Sequence, residues 1–203
     1  MKAQTKESQD KLNGAAAIQI LKDGNERFVS STKAERNLLE QVGDTSGGQF
    51  PFAAVLSCID SRVPAEIVFD QGIGDIFSAR VAGNIINEDI LGSIEYACKV
   101  AGSKAIVVLG HSKCGAVTAA CKGVELGNIT ALLSKIQPAV NEIKPTVDEF
   151  TPEAIETVSE TNVKHSIENI RKESPILAEM ESNGEIEIVG AIYHVESGKV
   201  SWL

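Results

Sequence analysis

Short, wholly apolar runs alternate with amphipathic stretches along this chain, and the alternation predicts its elements. Residues 53–57, AAVLS, form an apolar run that suits a strand buried on both faces. A second strand is expected over 75–83, DIFSARVAG, ending in glycine, and a third over 104–110, KAIVVLG, on its β-branched content. The closing EIEIVGAIYHV and KVSW read as two strands joined through ESG. Elsewhere the period is helical. Residues 15–29 carry Ile18, Ile20 and Leu21 and are expected to break at Gly24. Pro64 suits the first turn of a helix through Phe69. Asn87 is placed to cap a helix with Glu88 and Asp89 in its first turn, and Gly102 to end it. The apolar stripe of that helix is Ile90, Leu91, Ile94, Ala97, Cys98 and Ala101, so Tyr96 falls nearly opposite, towards a second surface. Small residues from Gly115 to Ala120 suggest a close-packed helix. Residues 128–180 read as largely helical, with a fresh start at Ser174-Pro175. Strands alternating with helices predict an α/β fold with a mainly parallel sheet core flanked by helices, whose sites form at strand C-terminal ends.

The chain has 203 residues, enough for one domain with a sizeable core and short for two. Its formal net charge of −9 repels phosphate backbones and anionic surfaces, which argues against nucleic acid and membrane as partners. The N-terminal twenty residues are polar where a signal peptide would be solidly apolar, so a cytoplasmic location is the expectation. Four cysteines, Cys58, Cys98, Cys114 and Cys121, are too sparse for a disulfide scaffold and raise metal or thiol chemistry instead.

Two predicted strands end in metal-binding residue types. The first runs into Cys58; the third runs into HSKCG, giving His111 and Cys114. Parallel neighbours would bring these ends to one edge of the sheet. A Cys-x52-His-x2-Cys set offers two thiolates and one imidazole, an incomplete tetrahedron for zinc with a position left for water or substrate. Cys98 and Cys121 fall on packed helices and read as structural, and His165 and His194 have no ligand neighbours at useful spacing. Asp60 and Arg62 follow the first ligand. The carboxylate would either fill the fourth coordination position or accept a hydrogen bond from zinc-bound hydroxide, with Arg62 holding it off the metal by a charge-assisted pair.

At these residues the chain resembles the β-class carbonic anhydrases: CIDSRVPAE is similar to the family's Cys-x-Asp-x-Arg segment and GHSKCGAV to its His-x-x-Cys segment. LKDGNERF (21–28) is similar to the N-terminal helical arm, and GDIFSARVAGN (74–84) and VGAIYHVESGKV (189–200) also fit. The resemblance implies one domain over 1–203, with 1–35 as the arm. It implies Cys58, His111 and Cys114 as ligands of a Zn2+ cofactor and Asp60 and Arg62 as the catalytic dyad. It also implies Gln49, Phe77 and Tyr96 as substrate-pocket residues of the plant-like, permanently open subgroup. Trp202, the only tryptophan, lies at the wrong end of the chain for the bicarbonate-regulated subgroup. Ile59 departs from the small or polar residue many relatives carry there.

The implied reaction is reversible hydration of carbon dioxide to bicarbonate and a proton by zinc-bound hydroxide, with activity rising towards alkaline pH because two thiolates weaken the metal's acidifying effect. The implied partner is a second copy of the chain, as a homodimer or an assembly of dimers, with the arm on the neighbour and pocket residues contributed across the interface. Two rivals remain: hydrolysis of carbon disulfide or carbonyl sulfide on the same scaffold, and a zinc-binding structural or regulatory domain without catalysis.

Overall fold

The computed structural model describes residues 1–203. A five-stranded sheet of order β2-β1-β3-β4-β5 forms the centre. Its strands are β1 (Ala53–Ser57), β2 (Ile76–Arg80), β3 (Ala105–His111), β4 (Glu187–Tyr193) and β5 (Val200–Trp202). The first four run parallel and β5 returns antiparallel to β4. β1 and β3 are buried at every residue, which is why their sequences carry no polar alternation.

Helices cover both faces. On one side α2 (Gly14–Val29) and α4 (Ala65–Val68) pack Ala17, Leu21, Val68 and Phe69 against Val55, Val107 and Leu109. On the other, α5 (Glu88–Glu95), α9 (Pro152–Glu173) and α10 (Pro175–Ser182) pack Ile94, Val163, Ile170 and Leu177 against Leu56, Ile106 and Val108. A third apolar cluster closes the C-terminal edge of the sheet. There α6 (Gly115–Cys121), α7 (Gly127–Leu133) and α8 (Gln137–Ile143) bring Val117, Leu133 and Ile136 beside Cys58 and Cys114. No helix is long and apolar enough to cross a membrane.

The expected elements are present, with informative differences. α2 runs through Gly24 without a break: a Cβ there would lie 1.8 Å from the Phe69 carbonyl oxygen, so this glycine permits a close approach. Asn87 caps α5 by accepting from the Ile90 amide, and the helix then loosens into a π-type turn over Tyr96–Val100 before Gly102 at φ +83°. The 128–180 region divides into α7, α8, α9 and α10, with prolines at the starts of α8, α9 and α10. Two short helices were not individually expected: α1 (Lys6–Asp10), inside the expected arm, and α3 (Leu38–Thr45). The segment after α2 is tied down by Asp70, whose carboxylate accepts from Arg27 Nε at 2.6 Å, Arg36 Nη1 at 2.7 Å and the Ala34 amide at 3.0 Å.

Candidate metal centre

The register of the parallel sheet determines what meets at its C-terminal edge. Ser57 pairs with Leu109 across β1 and β3, so Cys58 leaves β1 beside the last residues of β3. His111 ends β3, Ser112 and Lys113 make a tight turn, and Cys114 begins α6. Lys113 adopts φ +55°, the left-handed conformation that turns the chain back to bring the second thiol alongside the first. One ligand atom from each of Cys58, His111 and Cys114 lies within 4.8 Å of the other two, and all three residues are buried.

The chemistry of the donors fits a divalent metal. His111 Nδ1 lies 2.9 Å from the Ser112 carbonyl oxygen, which only accepts, so Nδ1 carries the proton and Nε2 a lone pair. Nε2 is buried with no hydrogen-bond partner. An orphaned buried acceptor between two thiols is costly unless a cation takes its lone pair. The thiols are coupled. Cys58 is held well below an ordinary thiol, first by the hydrogen bond from Cys114, against the cost of burial and with help from neighbouring His111 and then the Gly83 amide at 3.4 Å. Cys114 is pushed up by the same neighbour and by burial. Alone, the pair carries one proton and one negative charge; a divalent cation would let both ionise.

Beside this trio, Asp60 accepts from Arg62 three times: Oδ1 from its amide and Nε, both at 2.9 Å, and Oδ2 from Nη2 at 2.7 Å. That hydrogen-bonding holds the carboxyl at about 2, below an aspartate's ordinary 3.8. Oδ2 stands 4.0 Å from His111 Nε2, so the carboxylate is next to the ligand cluster and is not one of its members.

Other supports escaped the sequence reading. Arg80, at the end of β2, donates to the Cys58 carbonyl at 3.0 Å and to the Asp60 carbonyl at 2.6 Å. The parallel pairing of Ser57 with Arg80 would have pointed to it. Asn162 on α9 donates to the Gly83 carbonyl at 2.8 Å, fixing the turn whose amide reaches Cys58. Only the fold brings these residues together.

The three expected pocket residues stand elsewhere. Phe77 and Tyr96 meet edge to face, with ring centroids 6.2 Å apart, and Tyr96 is 53% exposed, as its place off the apolar stripe implied. Phe77 pairs with Ala54, four residues before Cys58, which at about 3.3 Å per residue puts it roughly 13 Å along the sheet from the thiol. Gln49 is exposed in the loop between α3 and β1. Within one chain, then, these residues do not join the metal-type cluster. The remaining thiols and imidazoles behave as structural groups: burial pushes Cys98 up to about 12, His165 pairs with Glu142, and His194 with Ser201.

Fold and site together define an open α/β protein with a Cys-His-Cys metal-type centre at the carboxyl ends of its central strands. The family model described as carbonic anhydrase matches residues 53–200. Carbonic anhydrase 2 of Mycobacterium tuberculosis is 37% identical over 193 residues, covering 92% of this chain and 91% of its own. A carbonic anhydrase of Mycolicibacterium smegmatis is 36% identical over 190 residues, covering 93% and 92%. Among solved structures, the β-carbonic anhydrase CafA of Aspergillus fumigatus superposes with a TM-score of 0.75 at 26% identity, covering 93% of this chain and 89% of its own. The chain belongs to the β-carbonic anhydrase family.

Proposed function

We propose that this chain catalyses the reversible hydration of carbon dioxide to bicarbonate and a proton, with Zn2+ held by Cys58, His111 and Cys114. The observation that carries the reading is the buried, partnerless Nε2 of His111 set between two thiols, with the Arg62-bound carboxylate of Asp60 only 4.0 Å away. Bound zinc would supply Lewis acidity, lowering the pKa of a water so that a nucleophilic oxygen exists near neutral pH. The protein's residues do the rest. Asp60 is too weak a base to take a proton outright, its carboxyl lying at about 2. It acts as an acceptor that orients the O–H of the attacking oxygen and leaves a lone pair free for the carbon of carbon dioxide. Arg62 occupies the carboxylate on its far side and keeps it from swinging onto the metal. A structural zinc site has no use for such a dyad.

The open-site, plant-like subgroup is the finer reading. It is supported by Arg62's hold on Asp60 and by Gln49, Phe77 and Tyr96 at the matching positions. The distance of Phe77 from the thiols within one chain supports a homodimer, in which a second copy contributes the three residues to this site. β2, an edge strand with one unpaired side, carries Phe77 and offers a surface for that copy. Residues 1–203 are read as one domain whose first 35 residues form the arm. Four unpaired cysteines support the reducing cytoplasm as its compartment. Stopped-flow carbon dioxide hydration by zinc-replete protein, before and after chelation, tests the activity. Carbon disulfide turnover on the same preparation, in the absence of hydration, would transfer the site to the hydrolase reading.

A further inference from the structure

The turn between His111 and Cys114 does more than connect them. The Ser112 carbonyl accepts from His111 Nδ1 at 2.9 Å, and the Lys113 carbonyl accepts from Arg62 Nη2 at 3.3 Å. The histidine ring and the arginine of the Asp60 pair therefore both rest on one dipeptide. That dipeptide is strained, because Lys113 sits at φ +55°, a left-handed conformation that a lysine keeps only when surrounding contacts impose it.

The imposing contacts come from two distant elements. The Lys113 amide donates to Glu156 on α9 at 2.7 Å. In the turn between β4 and β5, one oxygen of Glu196 accepts from Ser112 Oγ at 2.9 Å and the other pairs with Lys113 Nζ at 2.8 Å. Ser112 Oγ in turn accepts from the Val195 amide at 3.0 Å, and the Ser112 amide donates to the Tyr193 carbonyl at 2.9 Å. The Lys113–Glu196 ion pair is exposed on both sides and contributes little by itself. The bond to Ser112 matters more, because Ser112 is 4% exposed and its hydroxyl donates to Glu196.

We propose that Glu196 is a positioning residue of the metal centre, fixing the Ser112–Lys113 dipeptide so that its two carbonyls orient the ring of His111 and the guanidinium of Arg62. The proposal rests on the reading of Cys58, His111 and Cys114 as zinc ligands. It separates Glu196 from Glu156, which holds only a backbone amide, by assigning to Glu196 the side chains of both turn residues.

The test compares wild type with Glu196→Ala, Glu196→Gln and Ser112→Ala. Its readouts are the rate of zinc loss to a chelator, the visible spectrum of the cobalt-substituted protein, and kcat and KM for hydration. Glu196→Ala is expected to lose zinc about ten- to a hundredfold faster, the usual effect of removing an outer-sphere partner. Its cobalt bands should shift and its kcat fall with KM little changed. Glu196→Gln keeps one acceptor oxygen for the Ser112 hydroxyl and gives up the second oxygen, which faces Lys113 Nζ; it should return within about fivefold of wild type, the limit set by an exposed ion pair. Ser112→Ala should match Glu196→Ala, and it carries the test if Glu196→Ala does not fold. Wild-type release rates and cobalt spectra in Glu196→Ala and Ser112→Ala would overturn the proposal alone. Wild-type protein that binds no zinc would overturn the reading of the site and the proposal with it.

Discussion

Replacing Asp60 with asparagine separates what this carboxylate does for the fold from what it does for the reaction. The substitution keeps the shape and removes the charge. One oxygen remains to accept from Arg62, but the new amide NH2 must face a second Arg62 donor, at Nε or Nη2, now 2.9 or 2.7 Å away. The lowering of the carboxyl from 3.8 to about 2 corresponds to a ceiling of about 2.4 kcal/mol at neutral pH. Contact with water around the half-exposed Arg62 reduces this to about 1 kcal/mol. Because the folded carboxyl titrates below the unfolded one, this contribution is complete above pH ~4 and disappears as pH falls through ~2. A loss of about 1 kcal/mol does not unfold a domain with roughly 5–15 kcal/mol of stability. Removing one preorganised partner of the reacting atoms costs far more in rate, about 10²–10³ in kcat. Asp60→Asn should therefore fold, keep its zinc, melt within about 4 °C of wild type, and turn over carbon dioxide at least a hundredfold more slowly. Metal analysis, thermal melting and stopped-flow hydration on one preparation decide the matter. Turnover within twofold of wild type, with zinc retained, refutes a role for Asp60 in the reaction. Loss of zinc instead would make the carboxylate a ligand and refute its placement beside the metal.

Gly24→Ala places a methyl carbon 1.8 Å from the Phe69 carbonyl, a backbone atom that cannot rotate away, and should cost about 3 kcal/mol or more in a denaturant titration. Asp70→Ala strands Arg36, which is almost fully buried, and should lower stability by about 3 kcal/mol. Burial pushes the Asp70 carboxyl up, but Arg27, the Ala34 amide and Arg36 outweigh it, so the wild-type advantage should fade as pH falls below ~4. Chelation should lower the melting temperature of wild type reversibly, with amide exchange rising in residues 58–62 and 110–121 while β4 stays protected. Cys114→Ser should abolish that dependence on chelator.

The sequence made the frame of the centre legible because its ligands sit where hydrophobic runs stop. Val55 and Leu56 lead to Cys58, and Val108 and Leu109 lead to His111; a parallel sheet then needs no further information to bring those ends together. The helix capped by Asn87 was equally plain, since its signal lies in adjacent residues. Features set by distant partners were not legible. Gly24 looked like a breaker because the Phe69 carbonyl pressing on it is forty-five residues away. Arg80, Asn162 and Glu196 look like ordinary polar surface residues until the fold aims them at Cys58, Gly83 and Ser112. α1 and α3 went unseen for a different reason: they are short and mostly exposed, and only the caps at Thr5 and Asn37 mark their starts.

Several local costs coincide at the centre of this chain. Elsewhere the buried polar groups are largely paired, as Asp70 and Asn162 are. Here two buried thiols compete for one proton, an imidazole nitrogen has no partner, and Lys113 is held in a left-handed turn. Each feature costs stability, and natural sequences keep such conflicts where function requires them. One divalent ion held by Cys58, His111 and Cys114 would relieve the first two together. The turn at Lys113 is what brings the second sulfur within reach. The aspartate is excluded from that exchange because Arg62 already occupies it. The same four-residue span, His111 to Cys114, would thus supply two of three ligands and, through the Lys113 carbonyl, a hold on the arginine that keeps Asp60 from becoming a fourth.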